Sequence, residues 1–251
     1  MDQSTSNRNR QTIARLKRIL RTSVTRSLNI LPPDKVLRLL FRLDHWLYYL
    51  QGQMASAYGD GVHTKHRHIR YHDFFVARIS PGERVLDVGS NNGAVSYDVA
   101  EKAGAYVVGI EIEPANVELA RKMHPHPRIE YRLGNVLTDL GEEPFDVVIL
   151  SNVLEHLPER PALLRRIQRL VHPSRILIRV PLFERDWRVP LKRELGVEWR
   201  LDPTHEIEYT LEEFADEMAA AGLKITHQQV RWGEIWAETA PMPEQAMPQV
   251  D

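Results

Sequence analysis

Three groups of residues have the types and spacing to do chemistry. In Glu83–Ser96 (E-R-V-L-D-V-G-S-N-N-G-A-V-S) an apolar run ends in Asp87, turns through Gly89, Ser90, Asn91 and Gly93, and enters a helix-forming stretch. Glycines let the backbone pass close to a ligand, and the free N–H groups of a helix start face it. The spacing is G-x-x-x-G, with Asn91 where a pyrophosphate-binding turn needs its middle glycine. A ligand without phosphates and with a positive charge fits better. About twenty residues on, Tyr106–Ile110 (Y-V-V-G-I) ends at Glu111, followed by Ile112; an acid at this offset accepts hydrogen bonds from a ribose diol. The third group lies directly beyond the run Phe145–Ser151. Glu155 and His156 place a carboxylate beside an imidazole there, and the later segment His205–Thr210 supplies a second imidazole.

The elements that must position these groups alternate in type. Short apolar strands are expected at Val85–Val88, Tyr106–Ile110, Arg128–Arg132, Phe145–Ser151 and Arg175–Val180, with helices at Ala94–Ala103, Pro114–Met123 and through Leu163–Val171. A helix over Leu211–Ala221 is ended by Gly222, and strands from Leu223 to Gln229 and around Ile235 follow. This order predicts an α/β fold: a Rossmann-like, doubly wound, mostly parallel sheet closed by a C-terminal antiparallel hairpin, with an N-terminal helical cap. Ligands of such sheets sit at the carboxyl ends of the strands, which gathers Asp87–Gly93, Glu111, Asn135 and Ser151–His156 around one cleft.

At this point the chain resembles the class I S-adenosylmethionine-dependent methyltransferases. V-L-D-V-G-S-N-N-G matches their first motif, Glu111 their ribose-binding acid, Leu133–Val136 (L-G-N-V) the segment near the adenine, and F-D-V-V-I-L-S their fourth strand; the resemblance covers roughly residues 82–238. It implies S-adenosyl-L-methionine as cofactor, held by Asp87, Gly89, Ser90, Asn91, Gly93, Glu111, Ile112, Asn135, Val136 and Ser151. In the family, the segment before the first motif often folds over the donor, so His63, Lys65, His66 and Tyr71 are candidates for contact with donor or substrate, and His66 for catalysis. The pairing of Asn152–His156 (N-V-L-E-H) with His205–Thr210 (H-E-I-E-Y-T) is similar to the metal-dependent small-RNA 2′-O-methyltransferases, and its first half to the ubiquinone-biosynthesis O-methyltransferases. Carried over, Glu155, His156 and His205 match ligand positions of a divalent metal. Asn152 stands where that pattern has its first Glu, which leaves one anionic ligand fewer. One carboxylate with two imidazoles suits Mn²⁺, Fe²⁺ or Zn²⁺ better than Mg²⁺. The metal-free alternative makes His156 or His205 a general base.

Composition sets outer limits. The 251 residues suffice for one large α/β domain with appendages, and the absence of cysteine excludes disulfides, thiolate zinc sites and cysteine nucleophiles. Residues 1–50 carry ten Lys/Arg against three Asp/Glu, a net of +7, so the rest of the chain carries −8 of the total −1. Ile13, Leu16, Leu20, Val24, Leu28 and Leu31 form a helical stripe flanked by arginines, and Val36–Leu50 is apolar enough to be expected largely buried. This region is read either as a cap packed on the catalytic domain or as a basic amphipathic helix on an anionic membrane; the acidic body disfavours a nucleic-acid partner. The expected organisation is a helical region over 1–57, a methyltransferase domain over 58–239 with a substrate lid at 183–210, and a disordered tail over 240–251. With no membrane span or signal peptide in view, the expectation is a cytoplasmic protein, peripheral on the membrane in the second reading. The resemblance implies O-methylation of a diol-bearing small molecule, sugar or glycan, with a quinone-pathway phenol as the rival acceptor. A nicotinamide-dependent oxidoreductase is the rival class, and it lacks its G-x-G-x-x-G.

Overall fold

The computed structural model describes residues 30–59 and 63–243, together with Arg15 and Thr22. The stripe from Ile13 to Leu28 and residues 244–251 lie outside the described residues. The chain divides into two compact units, one of residues 1–54 with 191–199 and one of residues 55–190 with 200–251.

The larger unit is built on a seven-stranded sheet of order β3-β2-β1-β4-β5-β7-β6. Its strands are β1 (Arg84–Val88), β2 (Tyr106–Glu111), β3 (Ile129–Leu133), β4 (Val147–Ser151), β5 (Arg175–Pro181), β6 (Leu223–Arg231) and β7 (Glu234–Pro241). The first five pair in parallel, while β7 runs antiparallel to both β5 and β6. This is the doubly wound sheet with a closing hairpin that the strand–helix alternation predicts. β7 continues through Ala240 and Pro241, two residues into the stretch the sequence sets aside as tail.

Alternation along the central strands explains why both faces of the sheet are covered. Leu86, Val88, Val148, Leu150, Ile176 and Ile178 point into one core, and Val85, Val147, Ile149 and Leu177 into the other. Residues buried on both sides of a strand give the continuous apolar runs seen in the sequence. The first core is closed by α6 (Arg160–Val171) and α8 (Leu211–Ala220), which contribute Leu164, Ile167, Phe214 and Met218. The second is closed by α3 (Tyr71–Val76), with Phe74 and Phe75, and by α4 (Ala94–Asp98), whose end widens into a π turn over Val99–Ala103 before Gly104 stops it at φ 73°. Two further helices are α2 (Lys65–Ile69), ahead of α3, and α5 (Pro114–Met123), between β2 and β3.

In the smaller unit, α1 (Pro33–Tyr58) begins at a proline and runs for 26 residues. The expectation that Val36–Leu50 would be largely buried fails: only Phe41 is buried, packed with Leu37, Leu191, Leu195 and Val197. The reason is geometric. Apolar residues surround most of the helix, and the Leu191–Val197 segment is wide enough to cover one narrow face of it. That segment begins in α7 (Arg188–Glu194), and its Lys192 pairs with Asp44 at 3.2 Å.

Candidate active site

The carboxyl ends of β1 and β2 form the first half of the site. Asp87, the penultimate residue of β1, is 2% exposed and accepts a 2.6 Å hydrogen bond from Ser96 Oγ. Burial pushes its carboxyl up to about 6, with the Ser96 bond opposing the rise. The chain then turns through Gly89 (φ 67°), Asn91 (φ 49°) and Gly93 (φ 80°). A side chain at Gly89 would run into Val153, and one at Gly93 into the Tyr131 ring. Both glycines therefore serve packing as well as ligand approach. Glu111 closes β2 and is tied to the same turn, accepting from Asn91 N–H at 2.9 Å and from Glu113 N–H at 2.9 Å. Two backbone donors fix its carboxylate in place.

A cavity of about 330 Å³ opens beside this turn. Asp87, Gly89, Ser90, Asn91, Asn92, Ser151 and Asn152 form its floor; α2 and α3 add Lys65, His66 and Tyr71, and β5 adds Arg179. Five of the donor-site candidates stand outside its lining, Gly93 among them just ahead of α4. Glu111 meets it through Asn91; Ile112 is 63% exposed; Val136 packs in the core; and Asn135 accepts a 2.9 Å bond from Leu137 N–H in its own turn. Asn135 still follows closely on Gly134, whose N–H bonds the Glu111 carbonyl at 2.9 Å. His63 flanks the cavity, its ring centroid 6.3 Å from that of His66.

The electrostatics of the α2 wall come from burial among cations. His66 is pushed down to about 4 by burial, then by the charges of Lys65, His72, Arg179 and His63, so it is neutral at pH 7. Lys65 is lowered by burial and by Arg179, with Glu234 opposing. Arg179 is the centre of this arrangement: it grips Glu234 with two bonds of 2.7 and 2.5 Å and lies 3.9 Å from the Tyr71 ring centroid. Trp236 Nε1 donates to the same carboxylate at 3.0 Å. Sequence reasoning missed Arg179 and Glu234. The available signal was an arginine inside the otherwise apolar strand R-I-L-I-R-V.

The second half of the site stands just past β4. Glu155 and His156 occupy a single 3₁₀ turn, Leu154–His156, entered through Asn152 at φ 57°. The Glu155 carbonyl accepts from Glu206 N–H at 2.7 Å, which draws the distant His205 segment against it. That segment is anchored in turn by Tyr209, which is fully buried, bridges to Leu182, and donates to Glu217 at 2.5 Å, and by the Thr210–Glu213 capping box that starts α8. One ligand atom from each of Glu155, His156 and His205 lies within 4.8 Å of the others, and the two rings meet edge to face at 4.7 Å.

Each side chain of this cluster has a fixing partner. Asn152 Nδ2 donates to Glu155 Oε1 at 2.6 Å, His205 Nδ1 pairs with Glu208 at 3.0 Å, and His156 Nδ1 with Thr204 Oγ1 at 3.0 Å. Glu155 is fully buried, and its Oε2 has no hydrogen-bond partner. Burial pushes this carboxyl up to about 7, against the Asn152 bond. Burial, then the neighbouring His205, lowers His156. An orphaned carboxylate oxygen beside two oriented imidazoles, one backed by a carboxylate, is a donor set that fits a divalent transition ion. Asn152 joins the two halves, since it lines the cavity and holds Glu155.

A doubly wound sheet with a cavity at the carboxyl ends of β1 and β4 defines a Rossmann-like ligand-binding protein. The family model described as "Methyltransferase domain" matches residues 62–228, and the chain belongs to this family, the class I S-adenosylmethionine-dependent methyltransferases. A "Ubiquinone biosynthesis O-methyltransferase" of Azorhizobium caulinodans is 33% identical over 165 residues, 62% of this chain and 64% of that protein. A "2-methyl-6-phytyl-1,4-hydroquinone methyltransferase" of Synechocystis is 29% identical over 156 residues, 58% of this chain and 48% of that one. The chain thus spans about half to two thirds of the length of these relatives. Among solved structures, magnesium protoporphyrin IX methyltransferase from Synechocystis, with bound SAH, shares the fold at a TM-score of 0.56 and 19% identity, covering 69% of this chain and 83% of that one.

Proposed function

We propose that this chain transfers a methyl group from S-adenosylmethionine to a hydroxyl of an acceptor that carries a second hydroxyl next to it. The observation that carries the reading is the Glu155–His156–His205 cluster, attached through Asn152 to the cavity floored by Asp87 and Gly89. The donor lies against the turn between β1 and α4, where Glu111 accepts from the ribose diol and ionised Asp87 favours the cationic end. A sulfonium methyl is already electrophilic. The protein's task is to hold the hydroxyl oxygen in line behind it, roughly 3 to 3.5 Å away, and to receive the proton. As the new oxygen–carbon bond forms, the sulfur–methyl bond breaks, leaving a methyl ether and S-adenosylhomocysteine.

Glu155, His156 and His205 are the residues that would hold a divalent ion. Such an ion, when bound, supplies Lewis-acid polarisation of adjacent hydroxyls. Glu208 and Thr204 orient the two imidazoles through their Nδ1 atoms, and Asn152 orients the carboxylate. In the metal-free alternative His156, lowered by its surroundings, is neutral at pH 7 and is the form able to take the hydroxyl proton.

Two acceptor classes present adjacent hydroxyls. The names of the relatives, which concern ubiquinone and a 1,4-hydroquinone, favour a phenolic ring, of which the catechol form carries neighbouring hydroxyls. A sugar or glycan diol is favoured by the polar wall of Lys65, His66, Asn152 and Arg179. Radiolabelled S-adenosylmethionine offered with a catechol-type phenol and, separately, with free sugars and glycolipids decides between them. Label is expected in the methyl ether of one class. Transfer to neither class, with label entering protein instead, would overturn the diol reading.

A further inference from the structure

Helix α1 presents a second apolar face that its packing leaves uncovered. Leu39, Leu40, Leu43, Trp46, Leu47 and Met54 are each 43 to 63% exposed. At 100° per residue these six fall within an arc of roughly 120°, on the side of the helix away from buried Phe41. No charged residue falls inside that arc. The two acids of the helix, Asp34 and Asp44, lie on the Phe41 side, where Asp44 is paired with Lys192. Exposed Lys35 and Arg42 border the arc on the edge that also carries Trp46.

We propose that α1 docks by this face on an anionic lipid surface, lying in the membrane interface. Three features select lipid over a protein partner. The arc itself holds no charged residue, as hydrocarbon requires. Its Trp46 edge is cationic, and residues 1–50 carry a net charge of +7 against −8 for the rest of the chain, which directs this end of the protein to a negative surface. Trp46 sits between the apolar arc and the cations, the position aromatic side chains take at the headgroup level. No helix among the described residues is long and apolar enough to cross a membrane, so the contact is lateral. The helix offers about 39 Å of length for it, from 26 residues at 1.5 Å each.

The test uses the full chain with vesicles of phosphatidylcholine containing phosphatidylglycerol, and with phosphatidylcholine alone, at low salt. The protein should sediment with the anionic vesicles, and weakly or not at all with the neutral ones. Leu43→Glu with Leu47→Glu should lower the partition at least about tenfold, since each places a charge in the apolar layer, while S-adenosylhomocysteine binding stays unchanged. Trp46 emission, taken as the difference from Trp46→Phe, should shift to the blue on adding anionic vesicles. Equal sedimentation of wild type and double variant would overturn the proposal. So would indifference of the wild type to anionic vesicles; a dimer-to-monomer change in the double variant would then assign the face to a second copy, and a fall in its melting temperature to residues 1–29 of the same chain.

Discussion

The two halves of the site are built by different means. At the ends of β1 and β2 the geometry is carried by the backbone: positive φ at Gly89, Asn91 and Gly93, and two N–H groups that fix Glu111. Past β4 one backbone bond, Glu206 N–H to the Glu155 carbonyl, brings distant segments together, and the geometry is then carried by side chains that grip one another across long stretches of sequence, His156 with Thr204 and Arg179 with Glu234. A backbone-built half binds a feature common to all substrates of a family, here the donor. A side-chain-built half is free to change with the acceptor, because replacing one residue there leaves the fold of the turn intact.

The largest expected effect separates the halves by function. Glu155→Ala, His156→Ala and His205→Ala should each bind donor as the wild type does and lose about 10²- to 10⁴-fold in turnover. If a metal acts, chelator abolishes transfer and an added divalent ion restores it; if one imidazole acts as plain base, chelator has no effect and a single histidine variant carries most of the loss. Full activity in both histidine variants would remove the cluster from the chemistry.

The next effect is on stability. Arg179→Ala leaves the Glu234 carboxylate buried and without its bidentate partner, and should cost about 3 to 5 kcal/mol in denaturant unfolding. Replacing both residues by apolar ones of similar volume should cost less. Equal losses in the single and double variants would show that this wall is held by packing and not by the ion pair.

A smaller effect comes from Asp87. Because burial raises its carboxyl to about 6, the folded protein keeps this proton to higher pH than the unfolded chain does. The group therefore lowers stability as pH rises from about 4 through 6. Ionised Asp87 also favours a cationic donor, so S-adenosylmethionine binding should strengthen over the same window. Calorimetric titration at pH 5 and 7 reads this, and Asp87→Asn should flatten the dependence. A wild type with pH-independent affinity would place the cationic end of the donor away from Asp87.

The same contrast explains what could be read in the sequence. Strands buried on both faces leave unbroken apolar runs, so the parallel sheet and its hairpin are legible, with strand ends displaced by one or two residues. The donor turn is legible because a local run, D-V-G-S-N-N-G, encodes local backbone geometry. Glu155, His156 and His205 are visible as residue types, but their meeting depends on the Glu206 N–H to Glu155 carbonyl bond, which no local pattern announces. Arg179 was hidden for the opposite reason. It occupies a strand position that apolar residues fill elsewhere, and only its partner on β7, 55 residues away, makes it tolerable there. For α1, composition misled: an apolar-rich helix predicts burial, yet among the described residues only the Phe41 side is covered.

If the donor and acceptor sites are separate, with the first built on β1 and β2, donor affinity responds to Glu111 and not to His205. Isothermal titration of S-adenosylhomocysteine into wild type, Glu111→Ala and His205→Ala tests it most directly. The expected result is binding to the wild type, a loss of about 1 to 3 kcal/mol in Glu111→Ala for a missing charged hydrogen bond, and wild-type affinity in His205→Ala. Equal weakening by both variants would contradict the separation, and tight NADH binding with no response to the sulfur ligand would contradict the donor site itself.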